Sequence, residues 1–151
     1  MKTRIDIAAD CFKQGFNCAQ SVFSTYAPLL KIKKEDALRI ATGFGGGMGR
    51  LQDVCGAVTG AFMVIGCKHG MVDSADSATK EKTYALVQEF AHKFRKLHGG
   101  NISCRELLGC DLNTAEGKLQ FKERDLHNQV CLPCVRDASK LVEELLFSAN
   151  D

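Results

Sequence analysis

Ala78-Thr-Lys-Glu-Lys-Thr-Tyr-Ala-Leu-Val-Gln-Glu-Phe-Ala-His-Lys-Phe-Arg-Lys-Leu97 decides the fold class. Tyr84, Val87, Phe90, Ala91 and Phe94 recur at three- and four-residue steps, with lysines and glutamates opposite, which is the period of a helix with one buried face. The polar linker 73–77 leads into this segment, and Gly99 and Gly100 end it. The same period continues on both sides. Upstream, residues 4–13 carry Ile5, Ala8, Ala9 and Phe12 on one face, and Gly15 stops them. Asn17 can cap a second helix bearing Cys18, Val22, Phe23 and Tyr26, which Pro28 helps to end, and residues 35–42 read as a short third helix. Downstream lie a cysteine-bearing segment 103–110, a helical stretch from Thr114 to about Leu126, and a final helix from Cys134 to Phe147. No run alternates β-branched and polar residues, so the chain is predicted to be all-α, a compact multi-helix bundle with short connections.

With 151 residues and 45% hydrophobic content, the chain is expected to form a single domain over 1–151 with a real core. A formal net charge of +2 is too small and too dispersed for a nucleic-acid surface. The apolar stretch from Val54 to Ile65 is too short to cross a bilayer and reads as a buried core helix opened by Asp53. The start Met-Lys-Thr-Arg-Ile-Asp lacks the apolar block of a signal peptide, so a cytoplasmic address is expected. The stripe of the long helix is compatible with a homodimer and equally with a one-chain core.

Eight cysteines in such a chain point to metal or redox chemistry, because a reducing compartment does not sustain ordinary structural disulfides. Cys18, Cys55, Cys104 and Cys134 each fall in the first turn of a predicted helix. Backbone amides and the positive end of the helix dipole stabilise a thiolate there, so depressed pKa values are expected. Cys131-Leu-Pro-Cys134 lets two sulfurs reach one metal or close one disulfide ring, and Cys110 is a further candidate ligand. Four converging thiolates would suit zinc or an iron-sulfur cluster. Cys11 and Cys67 are expected to be packing residues.

Gly43-Phe-Gly-Gly-Gly-Met-Gly-Arg50 is expected to be a loop, and its spacing matches neither dinucleotide-binding nor P-loop patterns. Gly45, Gly46 and Gly47 are candidates to wall an active thiol or cluster next to Cys55, with Arg50 available to steer an anion. Gly56 and Gly60 lie on one helix face and permit close packing beside Cys55. His69, His92, His98 and His127 show no metal-binding spacing, and only His69 is kept as a reserve ligand. No nucleophile elbow or paired carboxylates support hydrolytic chemistry.

Taken together, Gly15-Phe-Asn-Cys-Ala-Gln20, Gly45-Gly-Gly-Met-Gly49, Cys55-Gly-Ala-Val-Thr-Gly60, Leu107-Leu-Gly-Cys-Asp-Leu112 after Cys104, and Cys131 with Cys134 resemble the C_GCAxxG_C_C family of redox-active proteins. The resemblance implies a helical protein acting through Cys18, Cys55, Cys104 and either Cys131 or Cys134. The family is also distantly similar to the cysteine-bearing part of split-Soret cytochromes, which implies an iron-sulfur centre. This chain has no Cys-x-x-Cys-His element, so covalent haem is not expected. The expected function is thiol-based redox work, by iron-sulfur electron transfer or thiol-disulfide exchange with an unidentified redox partner, and an oxidoreductase activity is left open. The alternative is a non-enzymatic zinc-binding module for structure, storage or sensing.

Overall fold

The computed structural model describes residues 1–148, and among them the ordered elements are helical apart from one isolated bridge between Val54 and Ser103. Eight α-helices follow one another: α1 (Arg4–Lys13), α2 (Cys18–Tyr26), α3 (Lys34–Ala41), α4 (Gly56–His69), α5 (Ser77–Leu97), α6 (Cys104–Leu108), α7 (Ala115–Glu123) and α8 (Leu132–Leu146). No helix among the described residues is long and apolar enough to cross a membrane. The all-α expectation holds, and the predicted helix starts hold where a side chain can take up a free backbone amide. Thr3 and Asp6 form a capping box on α1, Asn17 and Gln20 form one on α2, and Asp76, Ser103 and Thr114 cap α5, α6 and α7.

α4 lies at the centre. It is apolar on every side and packs against α2, α5 and α8, so Val58, Ala61, Val64 and Ile65 are fully buried. Small residues set its closeness to α2. A Cβ on Gly60 would stand 2.8 Å from the Ala19 carbonyl oxygen, and one on Gly56 would stand 3.0 Å from the Ala19 amide nitrogen. Phe90, Ala91 and Phe94 of α5 face this core as its period predicts, whereas Tyr84 turns outward and is exposed. The Tyr84 ring instead lies beneath the Lys80 ammonium, where its apolar face is covered without leaving solvent.

Three local departures from the expected elements shape the functional end. The glycine segment is more than a loop: Gly46, Gly47, Met48, Gly49 and Arg50 all have φ between 58° and 69°, giving a short left-handed turn. The three glycines take this region freely, while Met48 and Arg50 each carry about 1–2 kcal/mol of steric cost. Hydrogen bonds from Gln52 N-H to Gly46 and from Asp53 N-H to Gly47 hold the turn closed. Cys55, rather than Asp53, occupies the N-cap position of α4, and no side chain caps that helix. Finally, a π-helical turn at His127–Cys131 runs directly into α8, so Cys134 sits inside a continuous helical stretch instead of opening one.

Candidate functional site

Backbone pairing brings two distant cysteines together. The Cys55 amide donates to the Ile102 carbonyl at 2.7 Å, and the Cys104 amide donates to the Asp53 carbonyl at 2.7 Å, which zips the start of α4 to the start of α6. Gly47 makes this approach possible, because a Cβ there would stand 2.7 Å from Cys104 Cβ and 2.8 Å from the Asp53 backbone. Gln52 fastens the opposite side. Buried, it donates from Nε2 to the Cys110 carbonyl at 2.9 Å and accepts the Leu112 amide at 2.7 Å on Oε1.

Cys18, Cys55, Cys104, Cys131 and Cys134 line one cavity of about 640 Å³, together with Gly45, Gly46 and Gly47. Five of the six cysteine candidates are therefore brought to one place by α2, α4, α6 and α8 with its leading turn. Cys55, Cys104 and Cys134 are buried, and Cys18 and Cys131 are half-buried. Cys110 is buried with Leu108 and Leu126 in a small second core beside Cys104 and does not line the cavity. Each of the eight cysteines is a free thiol. Cys11 is buried, 3.8 Å from the Ser24 hydroxyl, as a packing residue should be, whereas Cys67 is exposed and packs no core.

The thiols interact pairwise. Cys55 is held well below the usual thiol range, chiefly by hydrogen bonds from Cys134 and then Cys18, with burial opposing and the amides of Ala57 and Val58 adding support. Cys18 is pushed well above that range by hydrogen bonding to Cys131 and Cys55, and by burial. Cys134 is raised as well, through its hydrogen bond to Cys55, burial, and the charge of that neighbour. Cys104 is pushed up to about 12, mainly by burial and then by the charge of Cys55. Charge on Cys55 is thus favoured by its neighbours, and that charge in turn opposes ionisation of Cys18, Cys104 and Cys134. Depressed values are expected from sequence at all four helix starts; only Cys55 shows one.

His98 is the functional candidate that sequence spacing misses. Its Nδ1 lies 4.0 Å from Cys134 Sγ, at the outer reach of a sulfur hydrogen bond, and its ring stacks on Phe94 with centroids 4.3 Å apart. Nε2 is 3.0 Å from Asp137 Oδ2, near enough for an ion pair, yet the ring N-H is not aligned for a hydrogen bond. Because α5 and α8 supply these residues, no local pattern in the chain announces the contact. His127 also lines the cavity, stacked on Phe12 at 4.2 Å, while His69 does not.

An all-sulfur donor set of this kind suits an iron-sulfur cluster. Among the described residues, no three His, Cys, Asp or Glu side chains surround a common point as a single bound ion requires.

No curated protein and no solved structure matches the chain. Residues 16–145 match the family described as "Putative redox-active protein (C_GCAxxG_C_C)", a span that includes every cysteine lining the cavity and the whole glycine turn. The chain belongs to the C_GCAxxG_C_C family.

Proposed function

We propose that this protein performs thiol-disulfide exchange, with Cys55 as the attacking thiolate and Cys134 as the resolving thiol. The observation that carries this reading is that Cys55, at the uncapped start of α4, lines one cavity with Cys134 and Cys18, and that both of these thiols hydrogen bond to its sulfur. A thiolate is the attacking species in such chemistry, and the second sulfur must lie within reach to complete it. Cys55 meets the first need at the uncapped start of α4. Cys134 meets the second, with His98 Nδ1 4.0 Å from its sulfur. Cys18 is an alternative resolving thiol, since it too contacts Cys55.

A second reading has its own support. Five thiols face the cavity where exchange requires two, and four of Cys18, Cys55, Cys104, Cys131 and Cys134 are enough to hold an iron-sulfur cluster, which would supply one-electron transfer. The zinc alternative uses the same sulfurs and is separated from both by metal content.

The deciding experiment starts from anaerobically purified protein, with a visible spectrum and iron, sulfide and zinc analysis. It then follows alkylation by iodoacetamide against pH, with each cysteine mapped by mass spectrometry. Exchange chemistry predicts colourless, metal-free protein in which Cys55 is modified first and still reacts well below the usual thiol pKa of about 8.5. A brown protein with matching iron and sulfide would replace the first reading with the second, and stoichiometric zinc would replace both. Metal-free protein whose Cys55 follows the ordinary thiol titration would refute the exchange reading.

A further inference from the structure

The cavity beside Cys55 is sorted by charge. The chain as a whole has 20 basic and 18 acidic residues, so cations and carboxylates are nearly balanced. The cavity is not: Arg50 and Lys118 line it, as does His127, and no aspartate or glutamate does among the described residues. Neither Arg50 nor Lys118 has a carboxylate partner among the described residues.

Arg50 is also placed at a cost. Its backbone is left-handed at φ 63°, and Asn113 Nδ2 donates to its carbonyl at 2.7 Å. Its stem lies over Gly46, where a Cβ would stand 2.9 Å from Arg50 Cγ. The left-handed turn therefore fixes a guanidinium-bearing residue on the rim of the thiol cavity, using a glycine to clear its path.

We propose that the cavity takes a small anionic disulfide, one bearing carboxylates on an apolar body, and that Arg50 and Lys118 select it. This rests on the exchange reading above. The volume of about 640 Å³ suits a small molecule, and Phe12, Leu108 and Phe121 supply apolar wall. Charge selection matters because the attacking species in exchange is a thiolate, which would repel an anionic substrate without nearby cations.

Cys55 sulfur attacks one sulfur of the disulfide, the substrate S-S bond breaks, and a carboxylate-bearing thiolate leaves. Cys134 then loses its proton, its sulfur attacks Cys55 Sγ, the mixed bond breaks, and the second thiolate leaves. Two protein thiols become one disulfide while the substrate is reduced by two electrons to two thiols, which take up the Cys134 proton and one from solvent. The same cations stabilise the departing thiolates, which speeds their release.

The test compares three alkyl disulfides on the reduced full-length protein: anionic 3,3'-dithiodipropionate, neutral bis(2-hydroxyethyl) disulfide and cationic cystamine. Each rate of thiol release is divided by that disulfide's rate with free cysteine. The anionic compound should exceed the neutral one by about tenfold at low salt, the cationic one should be slowest, and added salt should compress the series. In an Arg50→Gln/Lys118→Gln double variant the anionic-to-neutral ratio should fall toward one, while Lys82→Gln, at an exposed residue of α5 that does not line the cavity, should keep it. Equal normalised rates, or a ratio that survives the double variant, would overturn the selection while leaving exchange intact. If none of the three disulfides reacts faster than with a Cys55→Ser variant, the exchange reading fails and takes the selection with it.

Discussion

Cys18 and Cys55 both stand at the start of a buried helix, and their thiol pKa values are shifted in opposite directions. At α2, Asn17 Oδ1 accepts the Gln20 amide at 2.9 Å, and Gln20 Oε1 accepts the Asn17 amide at 3.0 Å, so these two amides are already taken. At α4 no side chain caps the helix; Cys55 is the N-cap residue, and the amides of Ala57 and Val58 support its sulfur. Ser103 likewise caps α6, and there burial and then the charge of Cys55 push the Cys104 thiol up to about 12. The contacts from Cys134 and then Cys18 are the larger influences lowering Cys55, and the amides at the uncapped start of α4 add to them. In a cluster of touching thiols a charge on one sulfur opposes charge on the others, so contacts between helices outweigh the cap at any one helix start.

The largest test of that contrast removes the charge. Cys55→Ser should lower iodoacetamide reactivity at pH 6.5 by about 100-fold, because an ordinary thiol with a pKa near 8.5 is only about 1% ionised there. The same variant should let Cys134 and Cys18 ionise at lower pH than in the wild type, since both are raised partly by hydrogen bonding to Cys55 and by its charge. Thiolate absorbance followed against pH reads both effects. A variant that kept its low-pH reactivity would place the charge on another sulfur.

The next effect concerns how α4 holds Cys55 beside Cys18. Gly60→Ala drives a methyl against the Ala19 backbone and should destabilise the protein by about 1–3 kcal/mol, as overpacking in a filled core does. Gly66 lies on the same helix but is exposed, and a methyl added there would meet nothing within 4 Å, so Gly66→Ala should stabilise by up to roughly 1 kcal/mol through helix propensity. Thermal or urea unfolding of the two variants separates packing from propensity. Equal and small effects would mean that α2 and α4 are less tightly apposed.

Much of this architecture is legible in the chain because it is local. The periodic face of α5, the Asn17 and Ser103 caps, and the Gly56 and Gly60 pair on one face of α4 follow from residue spacing alone. The gathering of thiols is suggested by their repeated positions at helix starts, and the cavity does unite five of them. What spacing cannot carry is the order of their protonation, which depends on contacts among α2, α4 and α8 that are distant in sequence. His98 escapes for the same reason, its contact with Cys134 spanning 36 residues. Cys134 does fall in the first turn of α8, but the π turn at His127–Cys131 leads straight into that helix, which residue spacing does not reveal. The left-handed turn stays hidden because glycines permit many conformations, and the hydrogen bonds of Gln52 and Asp53 choose among them.

The smallest test bears most directly on the contrast between the two helix starts. Asn17→Ala removes the α2 cap together with the donation from Asn17 Nδ2 to the Thr42 carbonyl at 3.0 Å, and should cost about 1 kcal/mol in unfolding experiments. It also frees the Gln20 amide near Cys18, leaving the start of α2 as open as that of α4. The hydrogen bonds to Cys131 and Cys55 are the largest influences holding Cys18 protonated, and the variant leaves both in place. Cys18 should therefore still resist alkylation at pH values where Cys55 reacts, with at most a small shift. If Cys18 instead became reactive alongside Cys55, the cap rather than the neighbouring sulfurs would be what keeps its proton, and the location of the charge would be set one helix at a time.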